Sequence, residues 1–193
     1  MKIAARRTVV IISIILLSVL IGFAYYLIGG AVDRGAHPRP EQYSAYIERY
    51  SSEYGVPEYI VYAVILEKSG FVSNLVSEDG RVGLMQISPD TFRWLLTLTK
   101  ETLEPGMLYE PETNIRYGTY MMSYLYTKYN RWETVYVAME AGVNATEVWK
   151  DDPAYADANG NFIKIPDADV EREVKKIEKS ADMYMKLYYS ENQ

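Results

Sequence analysis

Residues 8–27 carry no charged side chain: twenty positions that begin Thr-Val-Val-Ile-Ile-Ser-Ile-Ile-Leu-Leu and end at Leu27. At 1.5 Å per residue a helix of that length reaches about 30 Å, the hydrocarbon thickness of a bilayer. The run is therefore read as a membrane anchor. A cleaved signal peptide is the rival reading, but its apolar core is about 7–15 residues and ends at a small-residue site. This run is longer and shows no A-x-A pattern. Lys2, Arg6 and Arg7 precede it and Asp33 lies beyond it. The positive-inside rule then predicts a cytoplasmic segment 1–7, a transmembrane signal-anchor 8–30, and a remainder outside the cytoplasm. Tyr25 and Tyr26 sit where an interfacial aromatic belt is expected.

The chain as a whole has the composition of a packed domain: of its 193 residues, 49% are hydrophobic and 24% charged, which excludes wholesale disorder. Cysteine is absent, so a disulfide framework, a zinc-thiolate site, a cysteine nucleophile and a lipidated cysteine are excluded. With the single histidine, His37, the chain lacks the residues for a histidine metal site, and His37 itself falls in a linker. The formal net charge of -6 opposes nucleic-acid binding, which needs Lys and Arg to neutralise phosphates. Nineteen tyrosines offer flat apolar faces with a hydroxyl, suited to carbohydrate contact and equally to half-buried helices.

Gly29, Gly30, Gly35, Pro38 and Pro40 mark a linker over 31–40. Beyond it the pattern is helical over 41–189. Tyr43, Tyr46, Ile47 and Tyr50 recur at helical spacing, and Gly55-Val56-Pro57 breaks that helix. Pro57 suits the first position of the next helix, whose stripe is Ile60, Val61, Val64 and Ile65 and which ends at Ser69-Gly70. Ser88-Pro89-Asp90 reads as an N-cap with proline directly after it. Pro111 opens another helix, residues 135–141 a further one, and residues 169–188 a long final one. Asn159-Gly160, ahead of residues 161–165, predicts a tight turn with a short strand. Asp157, Asn159 and Asn161 alternate like a calcium loop, but Gly160 is misplaced and no glutamate closes the loop, so a turn is the better reading. The expected class is mainly α, with at most one small β-hairpin.

Twelve residues beyond Ser69-Gly70-Phe71 comes Gly83-Leu84-Met85-Gln86-Ile87, then Ser88-Pro89-Asp90-Thr91-Phe92. Later come Tyr109-Glu110-Pro111-Glu112-Thr113-Asn114-Ile115 with Gly118, then Ala141-Gly142 and Trp149. In this order they resemble the lysozyme-like domain of the soluble lytic transglycosylases (SLT domain), over about 41–189. The resemblance implies a helical fold with a glycan cleft, and peptidoglycan glycan strands as ligand. It also implies a cofactor-free, metal-free chemistry. One glutamic acid protonates the MurNAc–GlcNAc glycosidic oxygen, and the MurNAc 6-hydroxyl then attacks its own C1 to give a 1,6-anhydro product. A retaining glycosidase ordinarily needs two carboxylates; here the substrate's own groups replace one of them.

Three motif segments depart from that pattern. The family's glutamate immediately precedes the serine of a Glu-Ser-x-Phe motif, and here Lys68 precedes Ser69. Lysine, with an ordinary pKa of about 10.4, is a weak acid at neutral pH. Glu67 is adjacent, but one helical residue turns a side chain by about 100°, so it is expected to be exposed and aimed away from the cleft. The Tyr-Asn-Ala-Gly segment becomes Met139-Glu140-Ala141-Gly142, and the tyrosine of the last helix becomes Glu173. These changes predict a degenerate, weakly active or inactive wall-binding protein. An active enzyme using Glu67 or Glu140, and a scaffold in an envelope complex with other cell-wall proteins, are the alternatives. The expected substrate-contacting residues are Ser69, Met85, Gln86, Met139, Glu140 and Glu173. If Lys68 and Glu140 are neighbours, they are expected to form an ion pair within about 4 Å. Among Tyr117, Tyr120, Tyr124, Tyr126 and Tyr129, one or two are expected to touch sugar.

Overall fold

A computed structural model of the protein describes the backbone of residues 2–190, and the side chains of 15–24 and 29–190. The side chains of Lys2, Arg6, Arg7, Tyr25 and Tyr26 lie outside the described residues. The chain forms two compact units, 1–38 and 39–193.

The first unit is one helix, α1 (Lys2–Ala36). Its stretch Ile15–Ala36 is long and apolar enough to cross a membrane, and none of its described side chains is buried. The linker expected over 31–40 shrinks to 37–40, because α1 continues through Gly29, Gly30 and Gly35. A helical glycine costs only about 1 kcal/mol, and apolar neighbours offset that. The stop comes from Pro38, which disfavours helical geometry at the residue before it.

The second unit holds α2 (Glu41–Tyr54), α3 (Glu58–Ser69), α4 (Pro89–Thr99), a 3₁₀ turn (Pro105–Tyr109), α5 (Pro111–Tyr129), α6 (Trp132–Ala141), α7 (Val143–Asp151) and α8 (Ala168–Tyr188). Pro57 caps α3 rather than starting it. Helix α6 begins three residues before the apolar stretch at 135, and α7 was not expected from the sequence pattern. Gly142, at φ 83° and ψ 158°, ends α6 and lets a second helix, the more polar α7, start at Val143.

Helix α3 is the axis of the core. Ile60, Val61, Tyr62, Ala63, Val64 and Ile65 are all buried, so a helix read as one-striped is apolar all round and enclosed. Helix α8 packs along it through Val174, Ile177, Ala181 and Tyr184, with the Tyr62 and Tyr184 rings stacked at 5.5 Å. Helix α2 packs on α5, and α6 on both α5 and α8. Ser88 caps α4 by accepting the Thr91 amide, as its motif implies.

The expected short strand does not form. Among the described residues there are only isolated bridges, Val76 with Val82, Val82 with Ile87, and Ala156 with Phe162. The tight turn is present. Asp157 accepts the Asn159 and Asn161 amides and the Asn161 side chain, and Gly160 takes φ 72°. Across the turn Asp157 N donates to Asn161 O, but Ile163 and Lys164 both donate to the same Tyr155 carbonyl, so the pairing stops at a single bridge.

Glu101, just after α4, meets Arg116 of α5 in a bidentate pair at 2.6 and 2.9 Å and accepts the Tyr117 hydroxyl at 2.9 Å. The Arg116 hydrogen bonds hold its carboxyl below the ordinary glutamate value. A lowered folded pKa means the folded state binds fewer protons than the unfolded chain. The stabilisation is therefore complete above the ordinary carboxylate range and is lost as pH falls through the lowered value. Melting temperature measured from pH 7 to pH 3 is expected to fall less steeply in Glu101→Gln than in the wild type. Identical slopes would remove Glu101 from the acid response.

Candidate functional site

The site is built around a loop that returns to the end of α3. Gly70 (φ 55°) and Phe71 (φ 66°) turn the chain out of α3 through left-handed geometry. The buried Ser69 hydroxyl then donates to Leu84 O at 2.8 Å. Gly83 has φ 81°, and a Cβ there would lie 2.1 Å from Asn114 Nδ2 and 2.9 Å from Leu108 O. Only glycine satisfies both the torsion and the space.

Asn114, buried in the first turns of α5, accepts the Met85 amide at 2.7 Å. Its amide group donates to Val82 O at 2.9 Å and Leu108 O at 2.8 Å. Gln86 takes the left-handed φ of 51°, and its side chain donates to Gly83 O at 2.7 Å and Leu75 O at 3.1 Å. Met85 packs onto Gly118, where any Cβ would collide with its sulfur at 2.2 Å. Residues 82–87 are thus a rigid shelf between α3 and α5.

This shelf forms one side of a groove of about 640 Å³. Lys68, Met85, Gln86, Met139 and Glu140 line it together with Arg81, Trp94, Tyr124, Lys128 and Asn144. Lys68 Nζ and Glu140 Oε1 form the expected ion pair, with side chains only 12% and 11% exposed. The Arg81 guanidinium donates to Met139 O at 3.1 Å and Glu140 O at 3.3 Å, and pairs with Asp79 at 2.8 Å. It thereby satisfies carbonyls at the C-terminal end of α6, where cations are favoured.

Four of the six expected contact residues line the groove: Met85, Gln86, Met139 and Glu140. Two do not. Ser69 faces inward, where its hydroxyl ties α3 to the shelf. Glu173 pairs with Lys176 at 2.9 Å and Arg172 at 3.4 Å on α8, because two nearby cations on its own helix hold it there. Glu67 also lies away from the groove, and the expectation that it is exposed is corrected. It is half-buried, accepting the Ser180 hydroxyl from α8. Its rotation from Lys68 carries it into the α3–α8 contact rather than into solvent. Arg81, Trp94, Lys128, Asn144 and the tethering role of Asn114 were not anticipated from the sequence. A usable signal existed for two of them: Thr91 with Trp94, and Tyr124 with Lys128, recur at one-turn spacing along one helix face.

This lysozyme-like helical fold with a lined groove defines the class. The chain matches the model of the Transglycosylase SLT domain over residues 45–161 and belongs to that family. It is 30% identical over 113 residues to the soluble lytic murein transglycosylase of Escherichia coli, covering 57% of this chain and 18% of that protein. It is 29% identical over 116 residues to the membrane-bound lytic murein transglycosylase C of Edwardsiella ictaluri, covering 58% of this chain and 31% of that one. The chain thus spans under a third of these relatives' length. The 70 kDa soluble lytic transglycosylase of Escherichia coli superposes with TM-score 0.71 at 24% identity, over 81% of this chain and 26% of that one. The Slt lytic transglycosylase of Pseudomonas aeruginosa, solved as an inactive glutamate-to-glutamine mutant, gives 0.67 at 22%, over 78% and 24%.

Proposed function

We propose that this protein is anchored in the cell membrane by α1, with its SLT domain outside the cytoplasm. There the domain binds peptidoglycan glycan strands with little or no cleavage. The observation that carries this reading is the Lys68–Glu140 ion pair in the groove. By the motif register, Lys68 stands where the family has its glutamic acid. An ammonium is a poor proton donor at neutral pH, and an ion-paired carboxylate has no proton to give. General acid catalysis is the step this arrangement withholds. That the Pseudomonas relative was made inactive by a glutamate-to-glutamine change supports the dependence on one carboxyl. The anchor is supported by Ile15–Ala36 and by the membrane-bound relative from Edwardsiella. The groove's mixed lining, with Met85 and Met139 beside polar groups such as Gln86, Thr91 and Asn144, suits a sugar chain.

The test uses the full-length protein in detergent with purified peptidoglycan. Co-sedimentation with the wall and no anhydro-muropeptides by mass spectrometry are the expected results. The Lys68→Glu/Glu140→Asn double variant is expected to release more anhydro product than the wild type. Wild-type product that disappears in Glu140→Gln would make this an active transglycosylase with Glu140 as the acid. Neither product nor co-sedimentation would leave only a scaffold.

A further inference from the structure

The geometry points to a sugar-stacking site formed by Trp94 and Tyr124, in the same groove as the Lys68–Glu140 pair but built from different elements. It would take an uncharged N-acetylhexosamine ring of a glycan strand. The inference rests on the reading of the groove as a glycan groove and adds the residues that supply its affinity.

Trp94 of α4 and Tyr124 of α5 meet edge to face, with ring centroids 5.1 Å apart and planes at 83°. Both line the groove. Tyr124 is 39% exposed, whereas Met121, Met122 and Leu125 beside it are buried. Tyr124 thus packs against Trp94 and still opens part of its ring to the groove. A pyranose has a flat face of C–H groups and a polar rim, and the aromatic side chains match both with an apolar face and a polar tip. Thr91 and Lys128, one helical turn from Trp94 and Tyr124 respectively, and Asn144 put polar groups in the same groove.

Charge selects the ligand class. Each cation that lines the groove has a carboxylate partner: Lys68 with Glu140, Arg81 with Asp79, and Lys128 with Glu147 at 2.8 Å. A groove neutralised in this way favours an uncharged sugar over a charged peptide.

The experiment measures binding of N-acetylglucosamine tetramer to the full-length protein in detergent. Trp94 emission is read in a Trp132→Phe/Trp149→Phe background and affinity is confirmed by calorimetry on the wild-type background. Saccharide is expected to change Trp94 emission. Trp94→Ala and Tyr124→Ala are expected to bind roughly tenfold or more weakly, and Tyr124→Phe within about twofold of wild type, since it keeps the stacking face. Tyr124→Leu, which keeps an apolar side chain, separates lost stacking from lost fold when circular dichroism is unchanged. Wild-type-like affinity in both alanine variants would overturn the stacking site while leaving glycan binding intact. A wild type that binds neither the tetramer nor peptidoglycan would overturn the glycan reading itself. A response of Trp94 to a free stem peptide but not to saccharide would reassign the site to peptide and overturn this proposal.

Discussion

Removing one partner of the Lys68–Glu140 pair, by Glu140→Ala or Lys68→Ala, is expected to cost about 3–5 kcal/mol of folding stability. The two side chains are only 12% and 11% exposed, so a lone survivor is left without its partner in a poorly solvated groove base. A surface pair would give only about 0–1 kcal/mol, so the two cases are easy to separate. Replacing both, Lys68→Met with Glu140→Met, removes both desolvation penalties at once and is expected to restore stability to near wild type. Urea unfolding of the full-length protein in detergent, monitored by circular dichroism, measures all three variants. Single variants within about 1 kcal/mol of wild type would mean that water reaches the pair freely. The groove base would then not be a low-dielectric site.

Asn114→Ala carries the second large effect. The side chain satisfies three buried backbone groups, the Met85 amide and the carbonyls of Val82 and Leu108. Each group left unpaired costs about 1–3 kcal/mol, so a loss of at least about 3 kcal/mol is expected. Asn114→Asp is the sharper test. It keeps the shape and the acceptor for the Met85 amide, but sets a carboxylate oxygen against two carbonyl oxygens. It is expected to be no better than alanine. The two variants are distinguished from a loss of helix α5 by measuring groove binding as well as unfolding. A shelf released from Asn114 is expected to weaken the proposed glycan binding even where the protein stays folded. An Asn114→Asp variant as stable as wild type would show that the shelf does not depend on this amide.

Helix positions were legible because their signals are local. Ser88-Pro89 opens α4 through a cap bond to the Thr91 amide three residues away, and Gly55 and Gly70 end α2 and α3 through left-handed torsions. The end of α1 was not legible, since weak helix formers such as Gly29 and Gly30 are overridden by neighbours and only Pro38 imposes a stop. The end of α6 at Ala141 was legible, but α7 was missed: it restarts at once from Val143, so no stretch of loop-forming residues separates it from α6. The site was half legible. The motif register placed Lys68 opposite Glu140 correctly. It set Ser69 and Glu173 in the groove incorrectly, because register states which position a residue holds and not which neighbour captures its side chain. Ser69 is captured by Leu84 O, and Glu173 by Lys176 and Arg172.

By itself the sequence determined the apolar α1, the helical class, the SLT family and a cation, Lys68, directly before Ser69. These arise from covalent order, through periodicity, capping and motif spacing. Only the tertiary structure decided that Glu67 is engaged by Ser180, and that Trp94 and Tyr124 meet in the groove. Those facts depend on contacts between residues far apart in the chain. Such contacts are chosen by how α3, α5, α6 and α8 pack, and no local pattern encodes that choice.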